Sequence, residues 1–269
     1  MEDFKRFLFI KKGFQPITVE NYIGGIKRLE NKLGKKPSNS EIELYIYQIY
    51  NSDYSYSHKT NTALSIEHYT EFLNRPLKLG RQKKPRTIIK DTLTEAEITK
   101  MIFCCKNLKE KAILSLLAYS GIRNKELCCL KVKDFDGNSN KVKIIQGKGL
   151  KDGVSQISHH CSKVLQKYIQ KNNLKDEDFL FYTYQGNQYT SWALRKRIKI
   201  ISARAKIKKR VYPHLFRHSL SVNMLIRGAD IISLKNQLRH SLLDTTLHYL
   251  NSIILGERNN YEKYEPSYL

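Results

Sequence analysis

The stretch Tyr212–Asn251, YPHLFRHSLSVNMLIRGADIISLKNQLRHSLLDTTLHYLN, decides how the rest of the chain is interpreted. It carries two clusters of cationic and imidazole side chains, and Tyr249 follows nine residues after His240. The clusters are His214, Arg217 and His218, followed by Arg239 and His240. Histidines, arginines and a phenol are the groups that an enzyme would gather to attack a phosphodiester with a side chain.

Length and charge limit the classes of protein to consider. The chain has 269 residues, of which 41% are apolar, so it can bury a core in one large or two ordinary domains. It carries 48 Lys and Arg against 25 Asp and Glu, a net charge of +23. Such an excess favours a polyanion as partner, and nucleic acid is the first to consider. An anionic membrane surface or an acidic protein is the alternative.

The sequence gives no sign of export, membrane insertion or a metal site. No apolar run reaches 18 residues, and the N-terminal apolar patch is flanked by charge without a cleavage site. The five cysteines form two vicinal pairs and no CxxC spacing, so neither zinc nor a disulfide framework is indicated. We therefore expect a cytoplasmic protein with no membrane association and with reduced, mostly buried thiols.

Residues 1–74 predict a helical domain and residues 75–91 a linker. Apolar residues at 3–4 spacing predict helices from Ile17 to about Leu33, over Glu41–Tyr50 and over Ser57–Leu73. The run RPLKLGRQKKPRTIIK, residues 75–90, holds seven Lys or Arg and no acid, and its prolines and glycine break any helix. Such a segment can lie along phosphates. The candidate DNA contacts in it are Arg81, Lys83, Lys84 and Arg86.

Residues 92–269 predict a second, mostly helical domain with a small antiparallel sheet. Thr94 and Glu97 have the spacing of a capping box, and Gly121 ends the apolar helix Lys109–Ser120. A short helix follows from Ile122 to about Leu130. The period then changes, and short connections make the sheet antiparallel. Its predicted strands are Val132–Phe135, Lys141–Ile145 and Val154–Ser158, and the later predicted helices are Ser162–Gln170 and Ser191–Lys206.

Residues 195–210 hold nine Lys or Arg and no acid. On a helix this density gives a basic stripe, and a stripe of one sign favours phosphate contact over a merely solvated face. The candidate DNA-binding residues here are Arg195, Arg197, Lys208, Lys209 and Arg210.

Five motifs in order resemble the tyrosine recombinases of the phage-integrase and Xer-like family. They are SGIRNKEL at 120–127, QGKGLK at 146–151, HLFRH at 214–218, LRHS at 238–241 and the tyrosine at 249. The resemblance covers roughly residues 92–251. It implies a mainly α fold with a small antiparallel sheet, in which a helical SAM-like core-binding domain precedes a tyrosine-recombinase catalytic domain.

The resemblance also implies a role for each catalytic candidate. Tyr249 is the nucleophile that forms a 3′-phosphotyrosine. Taken by itself it would rather be a packed aromatic on an amphipathic helix, and only the other four motifs favour the nucleophile. Lys148 is the general acid for the 5′ oxygen, with Lys151 as a rival on the same turn. The scissile phosphate is gripped by Arg123 and Arg217 and contacted by His214, as base or phosphate ligand, and by His240. His218 is expected to be structural, and Arg123 also has Glu126 as a possible surface partner.

The expected function is site-specific strand cleavage and rejoining by a homo-tetramer on two DNA sites, for integration and excision or dimer resolution. No cofactor and no metal are expected, because cationic side chains neutralise the phosphate. A type IB topoisomerase or a catalytically silent DNA-binding accessory protein is the alternative. Position 239 is usually glycine in the family, so Arg239 must point away from the site or add a phosphate contact. The C-terminal tail packs on a neighbouring protomer or on its own domain.

Overall fold

The computed structural model describes residues 1–83, 91–145, 152–183 and 185–239. The chain divides into two compact units, Met1–Ile88 and Ile89–Leu269. Both are mainly helical, and the second contains a three-stranded antiparallel sheet, which confirms the predicted fold class. The finer division into a domain 1–74, a linker 75–91 and a domain 92–269 stays a prediction.

The first unit is a helical bundle. Its helices are α1 (Glu2–Ile10), α2 (Pro16–Leu33), α3 (Asn39–Tyr50) and α4 (Tyr56–Phe72). Helical structure was expected throughout residues 1–74, but no bounds were predicted for α1, which buries Phe4 and Leu8 completely. Ser38 begins α3 with a reciprocal capping box, because its hydroxyl accepts the Glu41 N–H while the Glu41 carboxylate accepts the Ser38 N–H.

The start of the basic segment packs against this bundle. Leu77 and Leu79 lie on its apolar core. The Leu79 N–H donates to Oε1 of Glu67 at 2.7 Å, and the Arg81 guanidinium forms a forked ion pair with the same carboxylate. The Tyr50 hydroxyl donates to the Gly80 carbonyl at 2.6 Å. Residues up to Arg81 therefore belong structurally to the first unit.

The second unit is built around a buried helix. Its helices are α5 (Glu95–Phe103), α6 (Leu108–Ser120), α7 (Asn124–Cys129), α8 (His159–Lys171), α9 (Ser191–Arg204), α10 (Pro213–Ile226) and α11 (Ile231–Leu238). Helix α6 is buried on nearly all sides, as expected of a helix that is apolar all round. Thr94 and Glu97 form the predicted capping box at the start of α5. The Leu93 N–H donates to the Ser219 hydroxyl at 2.7 Å, so the beginning of the unit is fixed to α10.

The sheet has the order β1 (Phe135–Asp136), β2 (Lys141–Ile144) and β3 (Gly153–Gln156). The predicted strand Val132–Phe135 is wrong over most of its length, because Val132–Asp134 forms a 3-10 helix. The Asp134 carboxylate accepts the Lys131 N–H at 2.9 Å and closes this turn. The other two strands lie within two residues of their predicted bounds.

Helix α11 is tied to the edge strand β3 through one side chain. The Gln237 amide donates to the Gln156 carbonyl at 2.8 Å and accepts the Gln156 N–H at 3.2 Å. The Ser155 hydroxyl, which is fully buried, donates to the Ser120 carbonyl at 2.5 Å. Three elements that are distant in sequence, α6, β3 and α11, therefore meet at one place.

Within the described ranges, no helix is both long enough and apolar enough to cross a membrane.

Candidate active site

Arg217 lies at the centre of the candidate site. It sits on α10, is 1% exposed, and donates from Nη1 to the Gly121 carbonyl and from Nη2 to the Leu238 carbonyl at 2.5 Å. Those carbonyls lie at the C-terminal ends of α6 and α11, where the helix dipole is negative and carbonyls lack partners within the helix. The buried guanidinium therefore holds together the ends of two helices.

Gly121 allows this close approach. Its φ of 62° lies in the left-handed region, and an added Cβ would lie 2.8 Å from Cδ2 of Leu238 and 3.2 Å from Cδ2 of Leu220. Both the backbone conformation and the space therefore require glycine. The sequence analysis predicted that Gly121 ends α6, and the structure adds its role in the contact with α11.

Arg123 caps the next helix together with Glu126. The Arg123 backbone N–H donates to Oε2 of Glu126 at 2.9 Å, and its Nη1 donates to Oε1 at 2.6 Å. The Glu126 side chain is 6% exposed, whereas that of Arg123 is 27% exposed. Burial alone would raise the pKa of the Glu126 carboxyl, but the N–H and guanidinium of Arg123 and the charge of Arg239 together lower it. Glu126 is therefore a buried anion below a partly exposed cation.

Arg239 turns its side chain to the same carboxylate. It ends α11 in the left-handed region, with φ 55° and ψ 46°, a conformation that suits glycine better than arginine. Its Nη2 donates to Oε2 of Glu126 at 2.9 Å, and its side chain is 11% exposed. Burial lowers the pKa of Arg239 from its usual value. Arg123 and Arg239 thus share one acid, a contact that the sequence analysis did not predict.

The two histidines of the HLFRH motif differ in exposure. His214 is exposed in the first turn of α10, three residues before Arg217, whereas His218 is buried with 6% exposure. Residues three apart on a helix lie on the same side, so the exposed His214 and the buried Arg217 share one side of α10. The burial of His218 fits the structural role predicted for it.

Four of the predicted catalytic residues or rivals lie outside the described residues: Lys148, Lys151, His240 and Tyr249. The described chain resumes one residue after Lys151 and ends one residue before His240. Strand β3 begins at Gly153, and an added Cβ at Gly153 would lie 2.5 Å from Cδ of Arg239, so β3 and the end of α11 are in close contact. The segments that carry Lys148 and His240 therefore adjoin in sequence two elements that touch each other.

The candidate DNA-binding residues separate into exposed and paired groups. Arg195, Lys208, Arg210 and Lys83 are exposed. By contrast, Arg197 pairs with buried Glu110 at 3.3 Å, Lys209 pairs with Glu97 at 2.9 Å, and Arg81 pairs with Glu67. Lys84 and Arg86 lie outside the described residues. Helix α9 ends at Arg204, so the basic run does not form one continuous helical stripe.

Among the described residues, no group of three or more His, Cys, Asp or Glu side chains could hold a metal ion. The supporting contacts of the site, made by Ser155 and Gln237, were not predicted. Neither residue belongs to a motif, and their partners lie 35 and 81 positions away in sequence, so no local pattern could have indicated them.

Comparisons with known proteins bear on the family and the fold of the chain. The model of the phage integrase family matches residues 91–253. A tyrosine recombinase of Pseudothermotoga lettingae is 30% identical over 94% of this chain and 93% of its own length. The crystal structure of a XerA recombinase covers 98% of this chain and 97% of its own, with a TM-score of 0.59 and 25% identity. The structure of a Tn1549 transposon integrase in complex with a circular intermediate DNA matches 92% of this chain and 93% of its own, with a TM-score of 0.72. At 16% identity this match bears on the fold alone.

A helical unit followed by a helical unit with a small sheet, and the contact of the first and third motifs at the Gly121 carbonyl, fit the class of tyrosine recombinases. The chain belongs to the phage integrase family, and it is by class a site-specific DNA recombinase. The resemblance that the five motifs predicted is therefore confirmed.

Proposed function

We propose that this protein cleaves and rejoins DNA strands through a covalent 3′-phosphotyrosine at Tyr249. The phenol oxygen attacks the scissile phosphorus, the bond to the 5′ oxygen breaks, and Lys148 gives that oxygen its proton. A phenol has an ordinary pKa of about 10, so it needs a base or a cationic site to react at neutral pH. In this proposal His214 supplies the base or a phosphate contact, and His240 supplies a further hydrogen bond.

The observation that carries the proposal is the meeting of three motifs around Arg217. Its guanidinium reaches the Gly121 carbonyl in the first motif and the Leu238 carbonyl in the fourth. Arg123 follows Gly121 by two residues and keeps a 27% exposed side chain above a buried acid. A planar guanidinium suits two phosphate oxygens and stays charged, so Arg123 is fitted to hold a phosphate that arrives from solvent.

DNA binding by each protomer is proposed to rest on exposed cations of both units. Arg195, Lys208, Arg210 and Lys83 are exposed and supply non-specific phosphate contacts, and Lys84 and Arg86 extend the set. Arg81, Arg197 and Lys209 contribute less, because each already pairs with an acid of its own unit. If about six to ten phosphates are neutralised per protomer, affinity falls steeply with salt.

We further propose a homo-tetramer on two DNA sites, located in the cytoplasm and acting in integration and excision or in dimer resolution. The C-terminal tail joins the protomers in this proposal. Mass photometry with and without DNA measures the assembly. If a protein truncated at Gly256 still forms the tetramer on DNA, the tail is not the contact that holds the protomers together.

The test begins by mapping covalent protein–DNA adducts across the source genome, which identifies the target site. A nicked duplex with that site should then trap an adduct with the wild type and none with Tyr249→Phe. Tyr261→Phe, which changes another tyrosine of the tail, is the matched control and should keep the adduct. Absence of any adduct would leave a DNA-binding accessory protein, and cleavage without a Holliday junction would indicate a topoisomerase.

A further inference from the structure

Arg239 adds a second cation to an acid that already has one. The Glu126 carboxylate is 6% exposed, and its two oxygens are used differently. Oε1 accepts from Nη1 of Arg123, whereas Oε2 accepts from the Arg123 backbone N–H and from Nη2 of Arg239. If the Arg123 side chain leaves, Oε2 still has two donors, one of which is a cation.

This arrangement removes an obstacle to phosphate binding. A buried carboxylate that loses its ion-pair partner carries a large desolvation penalty. With Glu126 as its sole counter-ion, Arg123 would therefore be held on the acid and resist moving to the phosphate. Because Arg239 stays bound to Glu126, the Arg123 guanidinium can leave this carboxylate, or keep one bond to it, when it binds the incoming phosphate.

The surroundings of Arg239 hold its side chain in place beside Glu126. Its aliphatic part packs where a Cβ at Gly153 would stand, 2.5 Å from Cδ and 3.1 Å from Cγ. A side chain at Gly153 would therefore displace Arg239. The left-handed backbone of Arg239 is unfavourable for an arginine, so the residue is kept in place by its contacts and not by local preference.

We propose that Arg239 is a positioning residue, which keeps Glu126 neutralised while Arg123 binds the scissile phosphate. This inference rests on the proposed function, since it assigns Arg123 to that phosphate. Arg239 acts through Glu126 and does not touch DNA. It explains how this chain uses a side chain at a position where glycine suits the backbone better.

The experiment is a double-mutant cycle in single-turnover cleavage of the nicked duplex. Arg239→Gly removes the cation and also relieves the left-handed strain, so the variant folds. We expect it to lower the cleavage rate about tenfold with little change in the DNA concentration for half-saturation, the size expected for coupled neighbours. Arg239→Lys should restore most of the rate. In a Glu126→Gln background, Arg239→Gly should change the rate less than about twofold, because the acid that it serves is gone.

Three outcomes overturn the proposal: an unchanged rate in Arg239→Gly, equal effects of Arg239→Gly in the wild-type and Glu126→Gln backgrounds, or a loss confined to DNA affinity. The second and third would indicate direct phosphate contact. Arg227→Gly is the matched control. Arg227 also follows the end of a helix and pairs with an acid, Glu95, at 2.8 Å, but its side chain is 71% exposed. The cleavage rate of this variant should equal that of the wild type.

A DNA-free measurement separates this inference from the proposed function. The wild type, the two single variants and the double variant of the cycle are compared by thermal unfolding, in which the Arg239–Glu126 contact should produce non-additive shifts of a few degrees in Tm. Additive shifts would show that the two side chains do not interact and would overturn the inference, whatever the activity. If the wild type forms no adduct with any mapped site, the proposed function fails instead.

Discussion

Replacing Gly121 with alanine should damage the site through one methyl group. The new Cβ would lie 2.8 Å from Cδ2 of Leu238 and 3.2 Å from Cδ2 of Leu220, closer than carbon atoms pack. Leu238 is fully buried, so it cannot turn into solvent to make room. The left-handed φ costs an alanine about 1–2 kcal/mol, and overpacking a tight site costs about 1–3 kcal/mol more. We expect a loss of about 2–4 kcal/mol in the free energy of unfolding, after the smaller entropy gain in the unfolded chain.

Gly228→Ala is the matched control for the backbone term. Gly228 has a φ of 86° and follows the end of α10 in the same unit, but nothing lies within 4 Å of an added Cβ. The Gly228→Ala variant should lose only about 1 kcal/mol in the free energy of unfolding, because the strain of the left-handed φ is partly offset by the lower entropy of the unfolded chain. The difference between the two variants measures the packing of α11 against the end of α6.

Urea unfolding, monitored by circular dichroism and by fluorescence, gives the free energy of unfolding of each variant. Trp192 is the single tryptophan, and it lies in the second unit, so its signal reports that unit. Equal losses for the two variants would refute the packing argument. So would strict additivity of Gly121→Ala with Leu238→Ala, because removing the Leu238 methyls should relieve part of the clash.

Three further predictions test the charges and thiols of the second unit. Arg217→Lys should slow adduct formation by about 100-fold, because an ammonium cannot span the Gly121 and Leu238 carbonyls; a rate within a factor of three would contradict this. Burial alone would raise the pKa of Glu110, but Arg204, the Lys106 N–H and Arg197 together lower it, so its stabilisation is present above pH 4.5 and is lost as the pH falls through the folded pKa. Glu110→Gln should therefore lower the free energy of unfolding by about 1–3 kcal/mol at pH 7, measured in urea. The difference between the variant and the wild type should narrow as the pH falls below 4.5; a difference that does not change with pH would argue against the ion pair. Burial raises the pKa of Cys161 to about 12 and that of Cys128 to about 11, so a thiol reagent at pH 8 should modify exposed Cys129 first, as mass spectrometry can show, and equal labelling of Cys161 would be inconsistent with the fold.

The features that the sequence predicted well are those with local causes. Thr94 begins a helix because it has a glutamate three residues later, and Gly121 ends α6 because it accepts a left-handed φ. The motifs also drew attention to Arg123 and Arg217, and the structure brings these two motifs together, because Arg217 donates to the carbonyl of Gly121, two residues before Arg123. The bounds of α1 could not be predicted, because its apolar patch is short and lies between charges.

The features that the sequence could not predict depend on partners far along the chain. Arg239 and Glu126 are 113 residues apart, and Arg204 and Glu110 are 94 apart, so no spacing rule connects them. The basic run 195–210 predicted a surface of uniform positive charge, but Arg197 and Arg204 of this run form ion pairs with the buried Glu110. An acid inside an apolar helix gives no sign in sequence of which cations will reach it.

The contact between Gln237 and Gln156 has a consequence for how the protein avoids unwanted association. Strand β3 is an edge of the three-stranded sheet, and an edge with unpaired backbone groups can recruit a strand from another molecule. The Gln237 carboxamide offers one donor and one acceptor at the spacing of a peptide group, and it occupies the N–H and carbonyl of Gln156. A single side chain from α11 thus imitates a neighbouring strand and blocks that part of the edge against β-aggregation.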